Sequence, residues 1–134
     1  MKHNIKILLV EDNLGDAFLI EDHLEEFASF SYELIKVETL SEALCQLNNR
    51  SFDVILLDLE LPDSSGINTF SNLHNNSPMV PIIILTGLND KKIGTRAAKA
   101  GARAFLVKGK SEGRLLECIL QYGVAQKKKS SPNA

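Results

Sequence analysis

Short apolar runs and helix-spaced segments take strict turns along this chain, and that alternation limits the fold more than any other feature. Ile5 to Val10, Ser31 to Glu38, Val54 to Leu57, Val80 to Leu85 and Ala104 to Val107 read as five strands. Apolar residues recur at helical spacing after each: Ala17, Ile20, Leu24 and Phe27; Leu40, Ala43, Leu44 and Leu47; Ile67, Phe70 and Leu73; Ile93, Ala97 and Ala100; Leu115, Ile119 and Leu120. Thr39 and Glu42 form a T-x-x-E capping box that starts the second helix. The fifth starts at Ser111 and ends in lysines that suit the negative end of the helix dipole. Alternation of this kind requires right-handed crossovers, hence a parallel sheet with helices on both faces. Continuous apolar strands fit, because a central parallel strand is buried on both sides. The expected fold is one doubly wound α/β domain of (βα)5 type.

With 134 residues, 44% of them hydrophobic, there is material for a single core and no second domain. We expect the domain over 1–127 and a disordered polar tail over 128–134, within the closing "KKKSSPNA". Net charge is -2 and the basic residues are scattered apart from Lys127 to Lys129, which argues against nucleic-acid binding. The longest apolar run, Met79 to Leu85, is too short for a membrane span, and "MKHNIKILLVED" places charges where a signal peptide would stay apolar. A cytoplasmic protein with no membrane partner is expected. Cys45 and Cys118 lack CxxC or Cys/His spacing, and His3, His23 and His74 are dispersed, so neither set reads as a metal or redox centre.

In such sheets ligands sit at the carboxyl ends of the strands. The polar residues there are Glu11-Asp12 after strand one, Asp58 after strand three, Thr86 after strand four and Lys108 after strand five. Three carboxylates on one rim repel unless a cation lies among them. Oxygen-only ligands with room for water suit Mg²⁺, with Mn²⁺ as a substitute. A carboxylate attacks phosphorus competently when a metal and an ammonium stabilise the transferring group. Asp58 is the nucleophile candidate, with Glu11 and Asp12 on the metal, and Lys108 and the Thr86 hydroxyl on phosphoryl oxygens.

The segments "ILLVED", "DVILLDLELPDSSG", "IIILTGLND" and "GARAFLVKG" resemble the response regulator receiver domain, the phosphoacceptor module of two-component signalling. The resemblance runs from about Lys6 to about Gln126. It implies the CheY-like, flavodoxin-like strand order 2-1-3-4-5, with Asp58 phosphorylated, Glu11 and Asp12 as the acidic pair, and Thr86 and Phe105 as switch residues. It further implies Mg²⁺ on the backbone carbonyl of Glu60, and Glu60 and Leu88 flanking and tuning the phosphoryl site. The implied donor is a histidine kinase or histidine phosphotransfer protein, docking at Leu14 and Phe18. Lys108 is followed by Gly109, where the family usually has a proline. The implied protein is a stand-alone response regulator, monomeric or dimerising on phosphorylation, that signals by switching the face formed by helix four, strand five and helix five. It is not a turnover enzyme. Two alternatives compete: a receiver-shaped docking module that is never phosphorylated, and a Mg²⁺-dependent aspartate-nucleophile phosphatase. The phosphatase would need an aspartate where Glu60 stands and metal-binding acids after Lys108, where 109–134 contain no aspartate. An electron carrier would need a phosphate-cradling loop in place of the acidic "EDNLGD".

Overall fold

The computed structural model describes residues 4–87, 91–109 and 112–130. The elements in chain order are β1 (Asn4–Val10), α1 (Leu14–Phe27), β2 (Ser31–Val37), α2 (Leu40–Asn49), β3 (Val54–Asp58), β4 (Glu60–Leu61), β5 (Ser64–Ser65), α3 (Ile67–Asn76), β6 (Ile82–Thr86), α4 (Lys91–Lys99), β7 (Ala104–Val107) and α5 (Glu112–Ser130). The main sheet is parallel in the order β2-β1-β3-β6-β7. With the two-residue strands β4 and β5 set aside, this is the expected order 2-1-3-4-5. No described helix is long and apolar enough to cross a membrane.

Successive residues of each strand feed opposite layers. Ile7, Leu9, Val54, Leu56, Ile83 and Leu85 join the layer that packs against Ala17 and Leu24 of α1 and Leu115 and Ile119 of α5. Leu8, Val10, Ile55, Leu57 and Ile84 join the other, with Ala43 of α2, Phe70 and Leu73 of α3 and Ala97 of α4. Every residue of β3 and β6 is buried, which accounts for runs without polar alternation.

Four details differ from the sequence reading. Asp58 and Thr86 are the last residues of their strands rather than the first residues beyond them. The strand expected from Val80 starts at Ile82, after Pro81, because proline lacks the N–H that a central ladder requires. Glu60–Leu61 and Ser64–Ser65, where the sequence reading had no strand, form a small antiparallel pair. α5 continues to Ser130, so 128–130 are helical where a disordered tail was expected; 131–134 lie outside the described residues, as does Ser111, the expected start of α5. The capping box is present with one change. The Glu42 N–H donates to Thr39 Oγ1 at 3.0 Å, while the Glu42 carboxylate accepts from the Thr39 hydroxyl at 3.1 Å and the Glu38 N–H at 3.4 Å.

Candidate functional site

Strand register assembles the rim. Val10 pairs with Leu57, so the next residues, Glu11 and Asp58, fall side by side. Asp58 pairs with Leu85 and Thr86 with Val107, which brings Thr86 and Lys108 to the same end of the sheet. The Lys108 N–H donates to the Thr86 carbonyl at 2.7 Å and extends the ladder by one residue.

Glu11, Asp12 and Asp58 each offer a carboxylate oxygen, and the three oxygens lie within 4.8 Å of one another. The Asn13 N–H donates to Glu11 Oε2 at 3.2 Å and the Glu60 N–H to Asp58 Oδ1 at 3.1 Å, so these carboxylates are already aimed. Lys108 Nζ lies 2.6 Å from Glu11 Oε1, an ion-pair contact off the hydrogen-bonding direction, and donates to Asp58 Oδ2 at 3.2 Å. Burial first, then the neighbouring Asp58, push Glu11 up to about 7 despite the opposing Lys108. Burial opposes the Lys108 ammonium, yet the close contact with Glu11, the hydrogen bond to Asp16 and the charges of Asp58 and Glu11 outweigh it and hold its pKa above the ordinary lysine value. The rim thus carries more negative charge than one ammonium relieves. An oxygen-rich trio with unrelieved charge fits a hard divalent cation such as Mg²⁺.

Thr86 is 3% exposed and, among the described residues, its hydroxyl has no hydrogen-bond partner. A buried hydroxyl left unpaired is costly, so an incoming oxygen at this rim would find a donor waiting. Phe105 is half-buried on β7 against the α4 side of the core. The side chain of Glu60 is exposed, and Leu14 and Phe18 are 72% and 60% exposed on α1. Leu88 lies outside the described residues.

Two acidic residues escaped the sequence reading. Asp16 accepts from Lys108 Nζ at 3.0 Å. Its signal was Asn13, whose side chain accepts from the Asp16 N–H at 2.9 Å and so places Asp16 in the first turn of a helix that begins at the rim. Asp63, in the loop after Asp58, accepts from the N–H groups of Leu40 and Ser41 at 2.9 and 3.0 Å; these bonds draw its pKa below the usual aspartate value. No local pattern could reveal that cap, since it joins residues more than twenty positions apart.

A family model described as the response regulator receiver domain matches residues 7–120. The transcriptional regulatory protein CiaR of Streptococcus pneumoniae is 36% identical over 107 residues, 78% of this chain and 45% of that protein. The transcriptional regulatory protein ZraR of Salmonella typhimurium is 27% identical over 119 residues, 89% of this chain and 26% of that protein. This chain therefore spans from about a quarter to about half of the length of these relatives. Among solved structures, a CheY-like response regulator receiver domain protein from Methanospirillum hungatei superposes with a TM-score of 0.77 at 26% identity, covering 96% of this chain and all of that one.

Proposed function

The chain belongs to the response regulator receiver domain family of two-component signalling, and from that premise we propose that Asp58 is its phosphoacceptor, served by Glu11, Asp12, Thr86 and Lys108. The observation that carries this reading is the Lys108 ammonium 3.2 Å from the Asp58 carboxylate at the rim, 50 residues apart in the chain.

An Asp58 oxygen attacks phosphorus in line, a P–O bond forms, and the P–N bond to the donor imidazole breaks with its electron pair returning to nitrogen. Mg²⁺ bound by Glu11, Asp12, Asp58 and the Glu60 carbonyl, or Mn²⁺ in its place, would supply charge neutralisation on the transferring oxygens. Lys108 donates to one phosphoryl oxygen and the unpaired Thr86 hydroxyl to another. The donor is a phosphohistidine on a kinase or phosphotransfer protein, for which exposed Leu14 and Phe18 offer an apolar seat beside the rim.

Signal transmission is a population shift. The acyl phosphate adds charge and acceptor oxygens at position 58, Thr86 moves toward them, and Phe105 turns inward into the space released. α4 is suited to follow, since its fully buried described residues are the small Gly94 and Ala97, and Ile93, its large apolar contact with the core, is only partly buried. The downstream face is α4, β7 and α5. Glu60 beside the site tunes how long the phosphoryl group survives, and Leu88 is assigned the same role from the family pattern alone. The reaction modifies the domain itself rather than turning over a substrate.

Incubation with Mg²⁺ and acetyl phosphate tests this reading. The expected result is a gain of one phosphoryl mass per chain, lost in base and absent when the metal is chelated. Continuous release of phosphate from varied esters, with no labelled protein, would overturn it in favour of a phosphatase.

A further inference from the structure

Lys108 is held from outside the sheet as well as from its rim. Its ammonium donates to Asp16 Oδ2 at 3.0 Å, closer than to Asp58 at 3.2 Å, across 92 positions of sequence. Asp16 belongs to α1, not to a strand end, and stands outside the carboxylate trio that could share a cation. Were Glu11 and Asp58 to hold a metal, Asp16 would still be available, among the described residues, to hold the lysine.

The surroundings of Lys108 make such a hold necessary. The next residue is Gly109 at φ +80°, so the chain just past the lysine has glycine's freedom. Lys108 and Asp16 also border a cleft of about 100 Å³ whose other walls include Leu19, Ile20, Leu85 and Leu106. The four-carbon stem therefore has open space beside it, and an ammonium without an anchor there would sample several rotamers.

We propose that Asp16 is a positioning residue for phosphoryl transfer, fixing the Lys108 ammonium from α1 so that its other N–H groups face Asp58 and the incoming phosphoryl oxygens. This role rests on the reading of Asp58 as the acceptor. An ammonium has three donors; one on Asp16 leaves two for the site. Asp16 forms no bond to phosphorus and takes no proton. Its charge also offsets part of the lysine's, but its side chain is 40% exposed and water screens that effect. Screening does not relax the geometric constraint, so positioning outweighs charge cancellation.

The test uses the full chain with Mg²⁺ and acetyl phosphate, whose acyl P–O bond breaks with the electron pair leaving on acetate as the Asp58–phosphorus bond forms. Asp16→Ala slows labelling roughly three- to tenfold, the weight of one partly exposed charge-assisted hydrogen bond. Asp16→Asn keeps an acceptor oxygen and stays within about twofold of wild type, a rescue that a merely structural role would not show. A second arm omits the phosphodonor and follows acetylation of the Lys108 amine by acetic anhydride, read by peptide mass spectrometry. The amine reacts faster in Asp16→Ala than in wild type, while Asp16→Asn lies near wild type. Labelling of Asp16→Ala at or above the wild-type rate, or unchanged Lys108 reactivity, overturns the role. Absence of labelling in wild type overturns the phosphoacceptor reading itself, and the acetylation arm separates the two failures.

Discussion

Thr86 is buried, yet among the described residues its hydroxyl is unpaired. Replacing it with the near-isosteric valine removes that defect, so Thr86→Val stabilises the unphosphorylated protein by about 1 kcal/mol, measured by urea denaturation. The same variant loses the donor for a phosphoryl oxygen and accumulates less acyl phosphate. A destabilised Thr86→Val with normal labelling would mean that the hydroxyl has a role in the resting fold instead. Glu11 makes a matching case from charge. Its folded pKa is raised to about 7, above the unfolded value, so the folded metal-free protein binds the extra proton and loses stability as pH rises from the ordinary carboxylate range toward 7. A divalent cation must displace that proton. Its apparent affinity should rise up to about tenfold per pH unit below 7 and level off above, which Mg²⁺-induced shifts in melting temperature across pH would register. A flat profile would remove Glu11 from the ligand set.

Among the elements, α4 depends on its neighbour most directly. A Cβ at Gly94 would lie 2.8 Å from Cδ2 and 3.0 Å from Cγ of Phe105, so the helix rests on that ring at its glycine. Glycine to alanine within a helix ordinarily gains up to about 1 kcal/mol. Here the ring belongs to a half-buried strand residue and does not yield freely, and overpacking costs about 1–3 kcal/mol. Gly94→Ala should therefore be destabilising, and α4 amides should exchange faster than in wild type. A stabilised variant would show that the ring already moves at little cost. α2 shows how partially an element's sequence announces its supports. Thr39 and Glu42 marked its start, but the first two N–H groups of that helix are served by Asp63. Periodicity reports which face a segment buries, and caps within four residues are local enough to read. A carboxylate contributed from another loop is a product of the fold and leaves no local trace.

At the scale of the molecule, strand type and order were legible because apolar runs such as Val54 to Leu57 must be buried on both faces, and parallel neighbours follow from the intervening helices. The gathering of Glu11, Asp12, Asp58, Thr86 and Lys108 at one end followed from their positions at strand ends. What the sequence could not convey was the ranking of contacts within that gathering. Lys108 stands nearest to Glu11, then Asp16, then Asp58, an order set by helix placement and side-chain reach rather than by spacing. The small pair at Glu60 and Ser65 was likewise hidden, since two residues are too few to show a period. The account as a whole stands on the identity of the acceptor. The most direct measurement is to label the protein with Mg²⁺ and acetyl phosphate, reduce the acyl phosphate with borohydride, and locate the product by peptide mass spectrometry. The account predicts homoserine at position 58, and no reduction product in Asp58→Asn. Homoserine at another position, or labelling of Asp58→Asn equal to wild type, would contradict it.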